Sequence, residues 1–278
     1  MRVVWQLVAV LTIALIGNQA VAAGQGNPWL TVGLGVLTAA LGVLGYRWVV
    51  RRTERRPVTE VARQGAVAAG ARGVLIGLAL FGAVMVNIAS AAKYEINGLG
   101  SVTGAATLFG VMTAAAVSEE LLFRGILFRI IEERAGSWIA LALSGLLFGL
   151  LHLANPNATL WGAIAIAIEA GGMLAAAYVA TRKLWLPIGL HFGWNFAESG
   201  IFSTGISGAH TQQGLLDSTL SGPQLITGGD FGPEGSVYSV VWGVLLTVVF
   251  MWLAHRREHI VPRRRRAGRG EAVATLPR

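Results

Sequence analysis

The sequence contains no cysteine, which excludes disulfides, thiolate metal ligands and a cysteine nucleophile. Charge is also scarce: Asp, Glu, Lys and Arg make up 13% of its 278 residues, about half the fraction usual in a soluble domain. Acidic residues number only 14, so a carboxylate inside an apolar stretch stands out. No apolar–polar alternation of the outer-membrane barrel kind is visible, and no His-Glu-x-x-His helix is present. What is abundant is hydrophobic residues, at 54%, gathered into separable runs of roughly 20 residues. That composition predicts an all-α, polytopic membrane helix bundle. The net charge of +8 sits in short segments beside the apolar runs. This placement points to membrane topology and anionic lipid headgroups, not to nucleic acid.

Eight runs read as transmembrane helices: Val3–Ala23, Trp29–Val50, one within Ala66–Ala91, Val102–Ile131, Trp138–Leu153, Leu160–Ala180, Leu184 to about Phe202, and Val237–Leu253. Ala20-Val21-Ala22 resembles a signal-peptidase site, but the long run behind a weak basic start favours a retained anchor. The chain divides into residues 1–100 with three spans and a basic connector at 51–65, a core at 101–202, an outer loop and last span at 203–254, and a basic tail at 255–278 expected to be disordered. Residues 92–100 are expected to form a short loop. With both termini inside, the arginine-rich segments 51–65, 132–136, 181–184 and 255–278 fall in the cytoplasm. The opposite side receives Lys93 as its basic residue. The expected location is the plasma membrane of a prokaryote.

Polar groups interrupt these runs at few places. Ser118-Glu119-Glu120-Leu121-Leu122-Phe123-Arg124-Gly125 places two carboxylates and a guanidinium in the fourth run. Such groups are costly at bilayer depth and commonly mark function. Glu120 and Arg124 are four apart and can pair on one helix face, which leaves Glu119, rotated by about 100°, free. His152 follows Phe148 in the fifth run, and His191 and Asn195 share a face of the seventh. At 1.5 Å rise per residue, Glu119 and His152 lie roughly 20 Å from the cytoplasmic helix ends, and His191 and Asn195 about 10 to 16 Å. Groups at overlapping depths on three helices are expected to converge on a wet interior cavity.

Glu-Glu-x-x-x-Arg at 119–124, Phe-x-x-x-His at 148–152 and His-x-x-x-Asn at 191–195, in this order, resemble the CPBP (Abi) family of intramembrane proteases. That family includes type II CAAX prenyl proteases and lysostaphin-resistance and bacteriocin-immunity relatives. The resemblance covers about residues 101 to 200. It implies an endopeptidase in which Glu119 with His152 activates water, His191 and Asn195 polarise the scissile carbonyl and hold the oxyanion, and Glu120 with Arg124 positions the site. It also implies a membrane-associated peptide or protein substrate, with CAAX processing of a prenylated chain as the family's activity.

Zinc remains open: Glu119, His152 and His191 would make a three-ligand site with one open position. Asn195 is a poor zinc ligand but a good oxyanion donor, which favours metal-free water activation. Each group also has a plainer reading. Glu120–Arg124 would serve as a neutralised bridge, His152 as a hydrogen-bonded interior histidine, and His191 with Asn195 as interhelical glue. Glu169, in the sixth run, departs from the family pattern and is expected to pair inside the bundle or line an entry. Glu198 reads as interfacial, and His210, His255 and His259 as solvated. A non-catalytic peptide-binding or immunity protein would use the same cavity, and an ion or proton relay is a third class.

Overall fold

Helix starts follow capping residues in the sequence. Asn27, followed by Pro28, accepts from Leu30 N; Ser101, Thr159 and Ser236 accept from the backbone N–H three residues on. A computed structural model describes residues 1–263. In it α1 spans Arg2–Ala23, α2 Pro28–Glu54 and α3 Ala66–Ala91. The helix α4 runs from Val102 to Ala135, α5 is Ser137–Leu151, and α6 is Leu160–Thr181. The chain continues in α7, Trp185–Asn195 prolonged by a π-helical turn at Phe196–Ile201, and α8, Val237–Arg256. Seven of these are long and apolar enough to cross a membrane; α7, of 11 plus 6 residues, is the shorter eighth. The chain is an all-α membrane bundle.

Burial ranks the helices. In α6, 83% of the apolar window is buried, and in α4 61%, against 22–33% in the other five spans. The outer helices expose Leu15, Ile16, Leu41, Val86 and Val248, side chains that lipid rather than water accommodates. Close backbone approach locks α3 onto α7. Gly73 and Gly77 face Gly189 and Gly193, and a Cβ at Gly193 would stand 2.4 Å from Val74 O. This small-xxx-small seam lies on the side of α7 away from the face that carries His191 and Asn195.

The arginine-rich segments gather at one end of the bundle. Arg129 bonds Glu54 at 2.7 Å, Arg182 bonds Glu132 at 2.5 Å, and Arg2 pairs with Glu133. Two expectations are corrected at the polar ends. Residues 92–100 are not a plain loop: β1, Lys93–Leu99, pairs antiparallel with β2, Leu216–Ser221, bulged between Ile96 and Gly98. Backbone pairing with a distant partner made this strand, without an alternating pattern of its own. The start of the basic tail is also packed. Val261 exchanges hydrogen bonds with Ser137, and His259 Nδ1 donates to Ala180 O at 3.0 Å, so His259 is half-buried rather than solvated. The disorder expected for 264–278 lies outside the described residues.

Candidate active site

The helix α4 does not run as a uniform α-helix past Glu120. It widens into π-helical turns over Leu121–Phe128 and then resumes. The helix α6 widens likewise at Ala167–Gly172, and α7 directly after Asn195. Such widened turns are uncommon and concentrate at functional sites. Here they put to use carbonyls that a regular helix would occupy. Arg124 Nη2 donates to Ala170 O at 3.0 Å and to Gly171 O at 3.3 Å, both within the widened turn of α6.

Glu120 and Arg124 are fully enclosed and paired at 2.7 Å. The same Glu120 oxygen accepts from His191 Nδ1 at 3.0 Å. The Arg124 guanidinium also lies 4.8 Å from the centre of the Phe148 ring. The backbone of Phe148 contributes as well, since its carbonyl accepts the Nδ1–H of His152 at 2.7 Å. That bond fixes the tautomer and leaves His152 Nε2 with a free lone pair. Thus one buried phenylalanine supports both the guanidinium and the histidine four residues on.

Glu119 is placed differently from its neighbour. Its side chain is 33% exposed, and its carboxylate lies 3.8 Å from His191 Nε2. Glu119, His152, His191 and Asn195 all line one pocket of about 400 Å³ between α4, α5 and α7, while Glu120 and Arg124 stand behind it. The structure therefore brings the six sequence candidates into one assembly, four at the pocket wall and two as its support. Gly125 completes the motif. A Cβ there would meet the Tyr46 ring at 2.9 Å, and Tyr46 OH donates to Gly125 O at 2.9 Å.

Among the described residues no group of three His, Cys, Asp or Glu side chains is arranged to hold an ion. Both Nδ1 atoms are committed, to Phe148 O and to Glu120, which orients the two rings and leaves their Nε2 atoms as the available donors. Glu119, His152 and His191 as placed are not gathered into a three-ligand cluster.

The segment 203–235 closes the pocket from the far side and contributes residues that sequence reasoning missed. Asn155 Nδ2 donates to Ser207 O at 2.6 Å, Ser207 Oγ donates to Glu234 at 2.6 Å, and all three residues line the pocket. The only sequence signal for Glu234 is an acid in a Gly/Pro-rich loop, with no spacing to tie it to the motifs. Glu198 is corrected: it is not interfacial but fully buried, because this segment folds back over the end of α7 and Thr204 caps the Glu198 carbonyl. Glu169 is likewise enclosed. It does not line the pocket, and neither of its carboxyl oxygens has a hydrogen-bond partner among the described residues.

Residues 101–197 match the family model described as type II CAAX prenyl endopeptidase Rce1-like. No curated protein and no solved structure matches the chain significantly.

Proposed function

We propose that this chain, whose residues 101–197 match the type II CAAX prenyl endopeptidase Rce1-like family model, hydrolyses a peptide bond of a membrane-associated substrate with a water activated by Glu119. One observation carries the reading. A partly exposed carboxylate, a histidine with a free Nε2, a second histidine and an amide from three helices share one pocket, and a buried ion pair braces them.

The substrate carbonyl would sit between Glu119 and Asn195. Water held by Glu119 and His152 Nε2 attacks the carbonyl carbon, and its proton passes to Glu119 as the C–O bond forms. The developing oxyanion accepts from the Asn195 amide. His191, flanked by the Glu119 and Glu120 carboxylates, can keep a proton at Nε2 and donate a hydrogen bond from it to the same oxygen throughout. Collapse breaks the C–N bond, and Glu119 returns its proton to the leaving amine. Glu120 and Arg124 touch no substrate; they fix the orientation of His191 and the spacing of α4 against α6.

The Rce1-like match over residues 101–197 favours a prenylated C-terminal peptide as substrate. The apolar pocket wall, with Met112, Leu122, Phe123 and Ile166, suits an aliphatic residue beside the scissile bond. We read the arginine-rich end of the bundle as cytoplasmic, by the excess of positive charge.

The test is cleavage of a prenylated CAAX peptide library by the purified protein in proteoliposomes, with and without chelator. Product should form in both conditions and vanish in Glu119→Gln and His152→Ala variants that remain folded. Unchanged turnover in either variant would remove the assignment. Peptide binding without cleavage by the wild type would indicate the non-catalytic alternative.

A further inference from the structure

At the arginine-rich end, α2 and the connector that follows it form the two walls of an open cleft of about 1170 Å³. The α2 wall carries Arg47 and Arg51, four residues apart and so on one face, and Arg55, in left-handed backbone just past the end of α2, continues it. Leu44 and Trp48 stand beside them, and Arg63 comes from the connector. Among the described residues no acidic side chain lines the cleft. The nearby acids are turned inward, with side chains only 3% and 4% exposed: Glu54 binds Arg129 inside the bundle, and Glu54 and Glu60 both bind Arg56, which also lines the cleft and is thereby neutralised. Arg47, Arg51, Arg55 and Arg63 form no ion pair among the described residues and are all exposed.

The position of these cations defines what can neutralise them. Arg47 lies seven residues before the end of α2 at Glu54, about 10 Å into the span by helical rise. Leu44 and Trp48 around it are 56% and 66% exposed on the lipid side. A tryptophan at such a level marks the headgroup boundary, and an arginine there needs a counter-charge at the membrane surface. From Arg47 to Arg51 the helix rises about 6 Å, and Arg55 past its end extends the cationic wall toward the membrane surface. The opposite wall is fixed: Leu184 N donates to Glu60 O at 2.8 Å, Trp185 Nε1 to Ala62 O at 2.8 Å, and Lys183 Nζ to Gln64 O at 3.0 Å. The connector is thus held open beside the helix, not collapsed onto it.

We propose that this cleft is a binding site for an anionic phospholipid. Its phosphodiester is clamped by the guanidiniums of Arg47 and Arg51, Arg55 and Arg63 complete the cationic cage, and an acyl chain lies along Leu44 and Trp48. Both parts of the ligand are needed: the four cations call for a phosphate, and the exposed apolar face at the same level calls for a chain.

The test uses the full chain in detergent, titrated with phosphatidylglycerol and, separately, with phosphatidylcholine of the same acyl chains. Phosphatidylglycerol should bind at least tenfold more tightly than phosphatidylcholine. Arg47→Gln/Arg51→Gln should lose at least tenfold in affinity, while the charge-matched control Arg52→Gln/Arg134→Gln, outside the cleft, binds like the wild type. Equal weakening in the control would overturn the proposal, since it would mean diffuse attraction. Displacement of the lipid by inorganic phosphate at equal concentration would also overturn it, by showing a free-anion site. A second measurement needs no arginine variant. Brominated phosphatidylglycerol should quench the wild type more than Trp48→Phe, and equal quenching of the two would refute the placement of the chain.

Discussion

Glu119 and Glu120 are adjacent in sequence yet should respond in opposite ways to the same substitution. Glu120 is fully buried, and one of its oxygens accepts from Arg124 at 2.7 Å and from His191 at 3.0 Å. In Glu120→Gln, Arg124 keeps the Ala170 and Gly171 carbonyls and the Phe148 ring but loses its counter-charge. Removing one partner of a buried pair costs about 3–5 kcal/mol, a large part of the roughly 5–15 kcal/mol that holds a folded protein together. Glu119 is one-third exposed, and its nearest ionic neighbour is His191 at 3.8 Å. Glu119→Gln should therefore change stability by less than about 1 kcal/mol.

The effect on catalysis runs the other way. Loss of a general base costs about 10²- to 10⁴-fold in rate, or about 3–5 kcal/mol of barrier at 1.36 kcal/mol per tenfold. The assay pairs thermal unfolding in detergent with turnover of a fluorogenic prenylated peptide in proteoliposomes. Glu119→Gln should keep the wild-type midpoint and lose turnover, and Glu120→Gln should lower the midpoint markedly. The division of roles is refuted if Glu119→Gln destabilises as much as Glu120→Gln, or if it retains turnover within threefold of wild type.

Three further outcomes follow from the same structure. Asn195→Ala should lower kcat about 10²- to 10³-fold with little change in KM; a KM effect alone, in steady-state kinetics, would assign Asn195 to ground-state binding instead. Gly193→Ala sets a Cβ 2.4 Å from Val74 O in the α3–α7 seam and should destabilise by about 1–3 kcal/mol, read as a lowered unfolding midpoint. Burial pushes the Glu60 carboxyl up, but hydrogen bonds from Arg56 and Tyr46 outweigh it and hold the group below its ordinary value of 4.5. Its contribution to stability is then complete above pH 4.5 and lost as pH falls through the lower, folded-state value. Midpoints measured across that range should converge for the wild type and Glu60→Gln as the pH is lowered, and a constant gap between them would count against the ion pair.

The helices and the site were legible to different depths, for physical reasons. Bilayer crossing imposes a length and an apolar content that each run states locally, so the ends of α1 and α6 agree with the sequence to within about two residues. The motif residues were legible because polar groups are costly in such runs; Glu119, His152, His191 and Asn195 needed no knowledge of the loops to be singled out. Their division into pocket wall and buried support was only half visible. The four-residue spacing announces the Glu120–Arg124 pair, but the widened turns that bring Ala170 and Gly171 to Arg124 have no local signature. Glu198 shows where local reading fails. Its position at the outer end of α7 is interfacial by any count along the helix, yet it is enclosed because residues 203–235 fold back onto it and set Thr204 and Gly232 against it. That segment has no apolar period to announce its path, and β2 within it is held by β1 more than a hundred residues earlier. Where a carboxylate sits in this bundle is decided by what covers it, and for Glu198 the cover includes Gly232, whose contact comes from far along the chain and lies in no short window around Glu198.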